Sequence, residues 1–207
     1  MSEFAGIGLT CVRGERQVFT GVDFDVGAGG ALVLAGPNGS GKSSLLRLMA
    51  GLAPPAAGTI VWDGVPVVED PEAHRARLHY LGHLDALKPT LTVAENVASA
   101  VTLRGQAVGS AEVASALYGL GLAGLGDLPA RYLSQGQRRR AALARLLAAP
   151  APLWLLDEPT LALDFDSVER LGAAIARHRR AGGRVVVATH VSLELASAET
   201  LRLGRPA

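Results

Sequence analysis

The chain is predicted to fold as an α/β domain: a parallel sheet, an antiparallel β layer beside it, and a block of helices inserted between strands. Three observations predict this. Ala31–Ala35, Leu153–Leu156 and the Val-rich Arg184–Ala188 are short apolar runs without alternation, as in parallel strands buried on both faces. Segments nearer the N-terminus alternate apolar and polar residues instead. Between about residues 92 and 132 the strand signals vanish, and Ala, Glu, Val and Leu recur at helical spacing.

Within about residues 5–30, Gly8–Val12 and Val22–Val26 have the period of half-buried antiparallel strands. Ala31–Ala35 then runs into Gly36-Pro37-Asn38-Gly39-Ser40-Gly41-Lys42-Ser43, followed by Ser44–Ala50 with helical composition. Strand, Gly-rich turn and helix form the context of a phosphate-binding P-loop. The glycines let backbone N–H groups converge on an anion, and the helix dipole points at the same place. Lys42 supplies a full charge for β- and γ-phosphates, and Ser43 a hydroxyl for Mg²⁺.

Gly58–Gly64 reads as a further strand ending in a turn. The helical stretch that follows is broken at Gly105, Gly109 and Gly119–Gly121. Ala141–Leu156 is the most apolar stretch, but Arg145, Pro150 and Pro152 interrupt it, so it reads as a helix followed by a buried strand. Leu203–Ala207 is a short tail, and no repeat or low-complexity tract is evident.

Composition narrows the function classes. With 207 residues, 49% hydrophobic and 19% charged, the chain suits one globular domain with a sizeable core. A net charge of +1 argues against a strongly electrostatic nucleic-acid binder. Arg138–Arg140 and Arg177–Arg180 are local basic clusters, expected to be solvated helix faces. The single cysteine, Cys11, cannot form an internal disulfide, which fits a reducing compartment. No basic segment followed by an apolar one opens the chain, so no signal peptide is expected. Nor does any apolar run reach the roughly 20 residues a membrane span needs.

Two further segments carry chemistry. Asp157-Glu158 closes the strand Leu153–Leu156, where one carboxylate can hold Mg²⁺ and its neighbour can deprotonate a water. Leu133-Ser134-Gln135-Gly136-Gln137 precedes the helical run Arg138–Ala149. Ser134 can cap that helix, and Gly136 allows a close backbone approach to an anion.

In this order, the P-loop, Leu133–Gln137, Leu155-Leu156-Asp157-Glu158-Pro159-Thr160, Leu161-Ala162-Leu163-Asp164 and Thr189-His190 resemble the nucleotide-binding domain of an ATP-binding cassette (ABC) ATPase, nearly end to end. The resemblance implies a P-loop NTPase fold over residues 1–207, with a core and β layer at about 1–91 and 133–207 and a helical subdomain at about 92–132. It implies that Gly36, Pro37, Asn38, Gly39, Ser40, Gly41, Lys42, Ser43 and Ser44 bind ATP. Ser43 and Asp157 match the metal site, and Glu158 the general base. Ser134, Gly136 and Gln137 match the signature, which in this family reaches the γ-phosphate held by a second copy. Asp164 matches the D-loop aspartate and His190 the γ-phosphate sensor. A homodimer sandwiching ATP follows from the same resemblance.

The chain departs from the family pattern at three positions. Gln135 stands where the signature has Gly. Arg13 falls near the position of the aromatic that stacks on adenine, and its guanidinium plane can do the same. His83, in Tyr80-Leu81-Gly82-His83, stands where the Q-loop has Gln and joins the catalytic candidates.

The segment Tyr80–Asn96, with Arg13–Arg16 and Ala151–Trp154, is similar to the ATP-binding subunit of the cytochrome c maturation haem exporter. That similarity implies a peripheral subunit on the cytoplasmic face of the bacterial inner membrane, paired with integral membrane permease subunits of the maturation complex. Haem is involved only indirectly, since no haem-attachment pattern is present. His83–Asn96, with Leu84, Leu87 and Leu91, is the candidate docking surface. The alternatives are the ATP-binding subunit of another ABC exporter or importer, and a soluble mechanochemical ABC ATPase. The single cassette without heptads or an extended basic surface argues against the latter.

Overall fold

The structure is a computed structural model that describes residues 3–190 and 193–204. The N-terminal alternation becomes a hairpin. Strands β1 (Glu3–Arg13) and β2 (Arg16–Gly27) pair antiparallel around Gly14, whose φ of 60° suits the tight turn. Strand β3 (Ala31–Ala35) leaves this layer and leads into helix α1 (Lys42–Met49). Strands β4 (Ala57–Trp62) and β5 (Val65–Pro66) return to the hairpin, completing an antiparallel sheet of order β2-β1-β4-β5.

After α2 (Pro71–Ala76), β6 (Leu78–Leu81) enters a second sheet. Helices α3 (Val93–Thr102), α4 (Ser110–Gly119) and α5 (Gln135–Ala148) come next, then β7 (Leu153–Asp157), α6 (Phe165–Arg180), β8 (Arg184–Ala188) and β9 (Glu199–Arg202). The second sheet is parallel throughout, in the order β6-β7-β8-β3-β9. Between residues 92 and 132 the described chain has no strand, only the isolated bridge Thr92–Pro129. The tail expected from Leu203 begins with structure. Leu203 is buried and its N–H donates to Ala35 O at 2.8 Å, while residues 205–207 lie outside the described residues.

The parallel sheet separates two cores because successive side chains of a strand point to opposite faces. On β7, Leu153 and Leu155 join the core shared with α1 and the antiparallel layer. Trp154 and Leu156 join the core built with α3, α4, α5 and α6. The same alternation divides Val186 and Ala188 of β8 from Val185 and Val187. Burying one such Leu or Val contributes about 1.5–3 kcal/mol, so neither face tolerates a polar residue. The strands therefore carry no polar alternation, as the sequence indicated.

Both basic clusters depart in part from the expectation of solvated faces, although Arg177 and Arg180 are exposed. Arg139 is buried at 2% exposure, although Arg138 and Arg140 remain partly exposed. His178 stacks flat on Trp154, with ring centroids 4.0 Å apart, and its Nε2 donates to Arg184 O at 3.2 Å. Arg179 donates to Gly29 O and Ala196 O, both at 2.8 Å. Helical spacing places these residues on the inner side of α5 and α6, a register that composition does not reveal.

Buried histidines give the fold a pH dependence. His79 donates from Nε2 to Ala149 O at 2.9 Å. Burial first, then the charge of Arg104, lowers its pKa from 6.5 to about 4; Arg145 and His178 add smaller effects in the same direction. Burial likewise lowers His74 and His178. A histidine with a depressed folded pKa takes up its proton mainly in the unfolded chain. Its stabilisation is whole above pH 6.5 and is lost as pH falls toward 4. For His79 alone the loss is on the order of 3 kcal/mol. Denaturant titrations at pH 7 and pH 5 are expected to show it, with a flatter pH slope in His79→Gln; equal slopes refute the assignment.

Candidate active site

The P-loop owes its shape to close approaches that only glycine permits. A Cβ on Gly36 (φ 146°) would collide with the carbonyl of Leu203. One on Gly41 (φ 104°) would stand 2.7 Å from Val18 and 2.8 Å from Phe19. Helix α1 starts at Gly41 with no side-chain cap, so its first N–H groups are left for another partner. Lys42 folds back over the loop, its Nζ donating to Gly36 O at 2.7 Å and Pro37 O at 3.1 Å. Ser40 is buried and its Oγ has no hydrogen-bond partner. Unclaimed donors and one ammonium at a single turn are the groups from which a phosphate cradle can be built.

The end of β7 faces this cradle. Ser43 Oγ donates to the buried Asp157 Oδ1 at 3.1 Å. Two hard oxygens from different elements, one of them anionic, match what Mg²⁺ prefers. The next residue, Glu158, has φ 45°, in the left-handed region that residues with a Cβ rarely occupy. Its N–H donates to Ala188 O at 2.8 Å. Its carboxylate turns to His190, accepting the backbone N–H at 3.3 Å and lying 3.4 Å from Nε2.

Most of these groups open on one cleft of about 910 Å³, while Gly36, Pro37 and Ser40 are not part of its lining. Its lining includes Asn38, Gly39, Gly41, Lys42, Ser43, Ser44, Asp157, Glu158 and His190. Arg13 and His83 also line it. Ser134, Gly136, Gln137 and Asp164 are not part of that lining. Ser134 caps α5, accepting from Gln137 N at 3.2 Å, while Gln137 Oε1 accepts from Ser134 N at 2.8 Å. A Cβ on Gly136 would stand 2.8 Å from Ala162 O, so this glycine is also needed for packing within the chain.

The ABC transporter family profile matches residues 19–161. The chain belongs to the ABC transporter family. As such it is an ATPase that binds ATP. The cassette is 58% identical to the "cytochrome c biogenesis ATP-binding export protein CcmA" of Rhodospirillum rubrum, over 97% of this chain and 85% of that protein. It is 55% identical to the protein of the same name from Paramagnetospirillum magneticum, over 98% and 94% of the two chains. Among solved structures it resembles a putative ABC transporter ATP-binding protein from Pyrococcus furiosus, with a TM-score of 0.84 and 25% identity over 97% of each chain. It also resembles the cassette MJ0796, solved as a dimer in a post-hydrolysis state with ADP and phosphate. That match has a TM-score of 0.82 and 25% identity, over 97% of this chain and 94% of that one.

Five further residues of the cassette's cleft were not singled out as site residues from the sequence, although all but Val18 lie in segments quoted above. Arg16, Val18, Thr160, Leu161 and Ala162 complete the lining. Thr160, Leu161 and Ala162 belong to the motifs that run from Leu155 to Asp164, so membership of those motifs was the available signal. Asp164 caps α6, accepting from Ser167 N at 2.9 Å, and hydrogen bonds from Ser167 hold its carboxyl below the usual range. The docking segment divides: Leu84 is 80% exposed, whereas Leu87 packs against the helical core and Leu91 is half-buried. Leu87 is half-buried against that core, because the segment folds back onto α3. Asn96 ties that fold, accepting from Lys88 N at 2.7 Å and donating to Lys88 O at 3.0 Å. Among the described residues no helix is long and apolar enough to cross a membrane.

Proposed function

We propose that the chain powers an export complex of cytochrome c biogenesis, hydrolysing ATP as a peripheral subunit on the cytoplasmic face of the inner membrane. The observation that carries this reading is its 58% identity, over nearly the whole chain, to a protein with that role in its name. The convergence of loop, carboxylates and histidine on one cleft supports it.

The residues take these roles. Lys42 exchanges its carbonyl partners for the β- and γ-phosphate oxygens of ATP, beside the open N–H groups of α1. Ser43 and Asp157 hold Mg²⁺, which when bound neutralises phosphate charge. Glu158 accepts the proton of the attacking water as the bond from the γ-phosphorus to the ADP oxygen breaks. His190 orients that carboxylate and senses the γ-phosphate. Arg13 stacks on adenine at the exposed rim, and His83 links the cleft to the docking segment.

Ser134, Gly136 and Gln137 sit outside the lining, which supports their acting on ATP held by a second copy. A dimer closed in this way carries two equivalent sites. Membrane permease subunits dock at the exposed Leu84. Haem, or the complex that delivers it to the periplasm, is what the machine moves, without contacting this chain.

The test is in cells. With Lys42→Ala at the chromosomal locus, covalently bound haem in membrane and periplasmic proteins is expected to disappear while b-type cytochromes persist. Normal c-type haem in a strain lacking a second copy would assign the cassette to an unrelated transporter.

A further inference from the structure

One buried side chain joins the signature helix, the β7 turn and the His83 loop. Arg139 projects from α5, and its Nη2 donates to both Asp157 O and Glu158 O at 2.7 Å. Its Nη1 donates to Gly82 O and to Asp85 Oδ1, both at 3.1 Å. The loop end of this bridge is itself braced, because Arg145 Nη2 donates to Asp85 O at 2.9 Å. Arg139 is 2% exposed, whereas the Asp85 side chain is 23% exposed. The ion pair therefore has one end in the core and one at the surface, next to Leu84.

The arrangement has mechanical consequences. A guanidinium is a rigid planar fork, so its two nitrogens cannot move independently. Charge-assisted hydrogen bonds in a water-poor interior are among the stronger polar contacts. Two consecutive carbonyls, those of Asp157 and Glu158, turn to the same nitrogen. For both to do so, the backbone between them must bend sharply, and Glu158 does so at φ 45°. From that bend the Glu158 carboxylate reaches His190. The hydrogen bonds of Arg139 go to Asp157, Glu158, Gly82 and Asp85, and none to Gly36–Ser44.

We propose that Arg139 is a positioning residue: it holds the Glu158 backbone in the bend that aims the carboxylate into the cleft, and it transmits displacement of the Gly82–Asp85 loop to that carboxylate. The proposal rests on the reading of Glu158 as the base. A partner pressing on Leu84 then alters the rate of hydrolysis through Asp85 and Arg139, while ATP affinity, set by the P-loop, stays unchanged.

The experiment uses the full chain in membranes that contain its export partners, with steady-state and single-turnover ATP hydrolysis as readouts. Arg139→Gln is expected to lower kcat roughly 10- to 100-fold, as misplacement of a catalytic group does. The KM for ATP is expected to stay within about twofold of wild type. Arg139→Lys, which keeps the charge without the fork, recovers part of the loss. Asp85→Asn lowers kcat by less and adds nothing to Arg139→Gln. In a Glu158→Gln background, the Arg139 variants cause no further single-turnover loss, because the group they position is already gone. Multiplicative losses there, or a KM that rises as kcat falls, would reduce Arg139 to support of the fold and overturn the proposal. If Arg139→Gln does not accumulate, Arg139→Lys and Asp85→Asn complete the same cycle. Unchanged turnover in Glu158→Gln alone overturns the base assignment itself, and is read without any Arg139 variant.

Discussion

Lys42→Ala is expected to eliminate ATP hydrolysis, with a fall of roughly 100-fold or more, the scale on which removing a single preorganised donor to a transition state acts. The ammonium donates a full positive charge into the turn between β3 and α1, through Gly36 O and Pro37 O. Alanine removes both the charge and the contacts that hold those carbonyls. Two measurements check this. ATPase activity of the full chain in membranes reads the chemistry, and the ATP-induced rise in melting temperature reads binding. Both are expected to collapse, since ligand that binds only the folded chain stabilises it by mass action. Full ATPase activity in the variant would remove Lys42 from the phosphate site.

Glu158→Gln is expected to have a comparably large effect and a different signature. Gln has the shape of Glu and still accepts from the His190 N–H, so the turn at φ 45° is retained. It no longer accepts a proton from water. Turnover falls by about 1,000-fold, within the range of general-base contributions, while ATP binding persists. ATP-bound dimers therefore accumulate, visible as a shift to twice the mass in light scattering with ATP and not with ADP. A variant that hydrolyses ATP at the wild-type rate would take Glu158 out of the base role, and a monomer under the same conditions would refute the paired arrangement.

Much of the architecture was legible because period and composition carry it. Leu153–Leu156 and Arg184–Ala188 lack alternation since both faces of their sheet are covered. β1 and β2 alternate since one face of their layer meets solvent. The Ser134 cap and the Gly-rich turn were readable as local backbone chemistry, which a few neighbouring residues specify. β9 was not. Its four residues, Glu199–Arg202, have neither alternation nor an apolar run, and only pairing with β3 makes them a strand.

The candidate site divides along the same line. By itself the sequence determined that there is a Gly-rich turn between a strand and a helix, a pair of carboxylates at a strand end and a helix capped by Ser134, because each rests on contacts between near neighbours in the chain. Tertiary structure alone decided which of these share a cleft: Ser43 meets Asp157, Glu158 meets His190, and the signature residues stay outside. It also decided that Arg139, in a run of three arginines expected in water, is buried beneath the carboxylates. The physical reason is range. A hydrogen bond between residues 18 or more positions apart, as from Arg139 to Asp157, depends on how whole elements pack, and no local pattern of residue types encodes it.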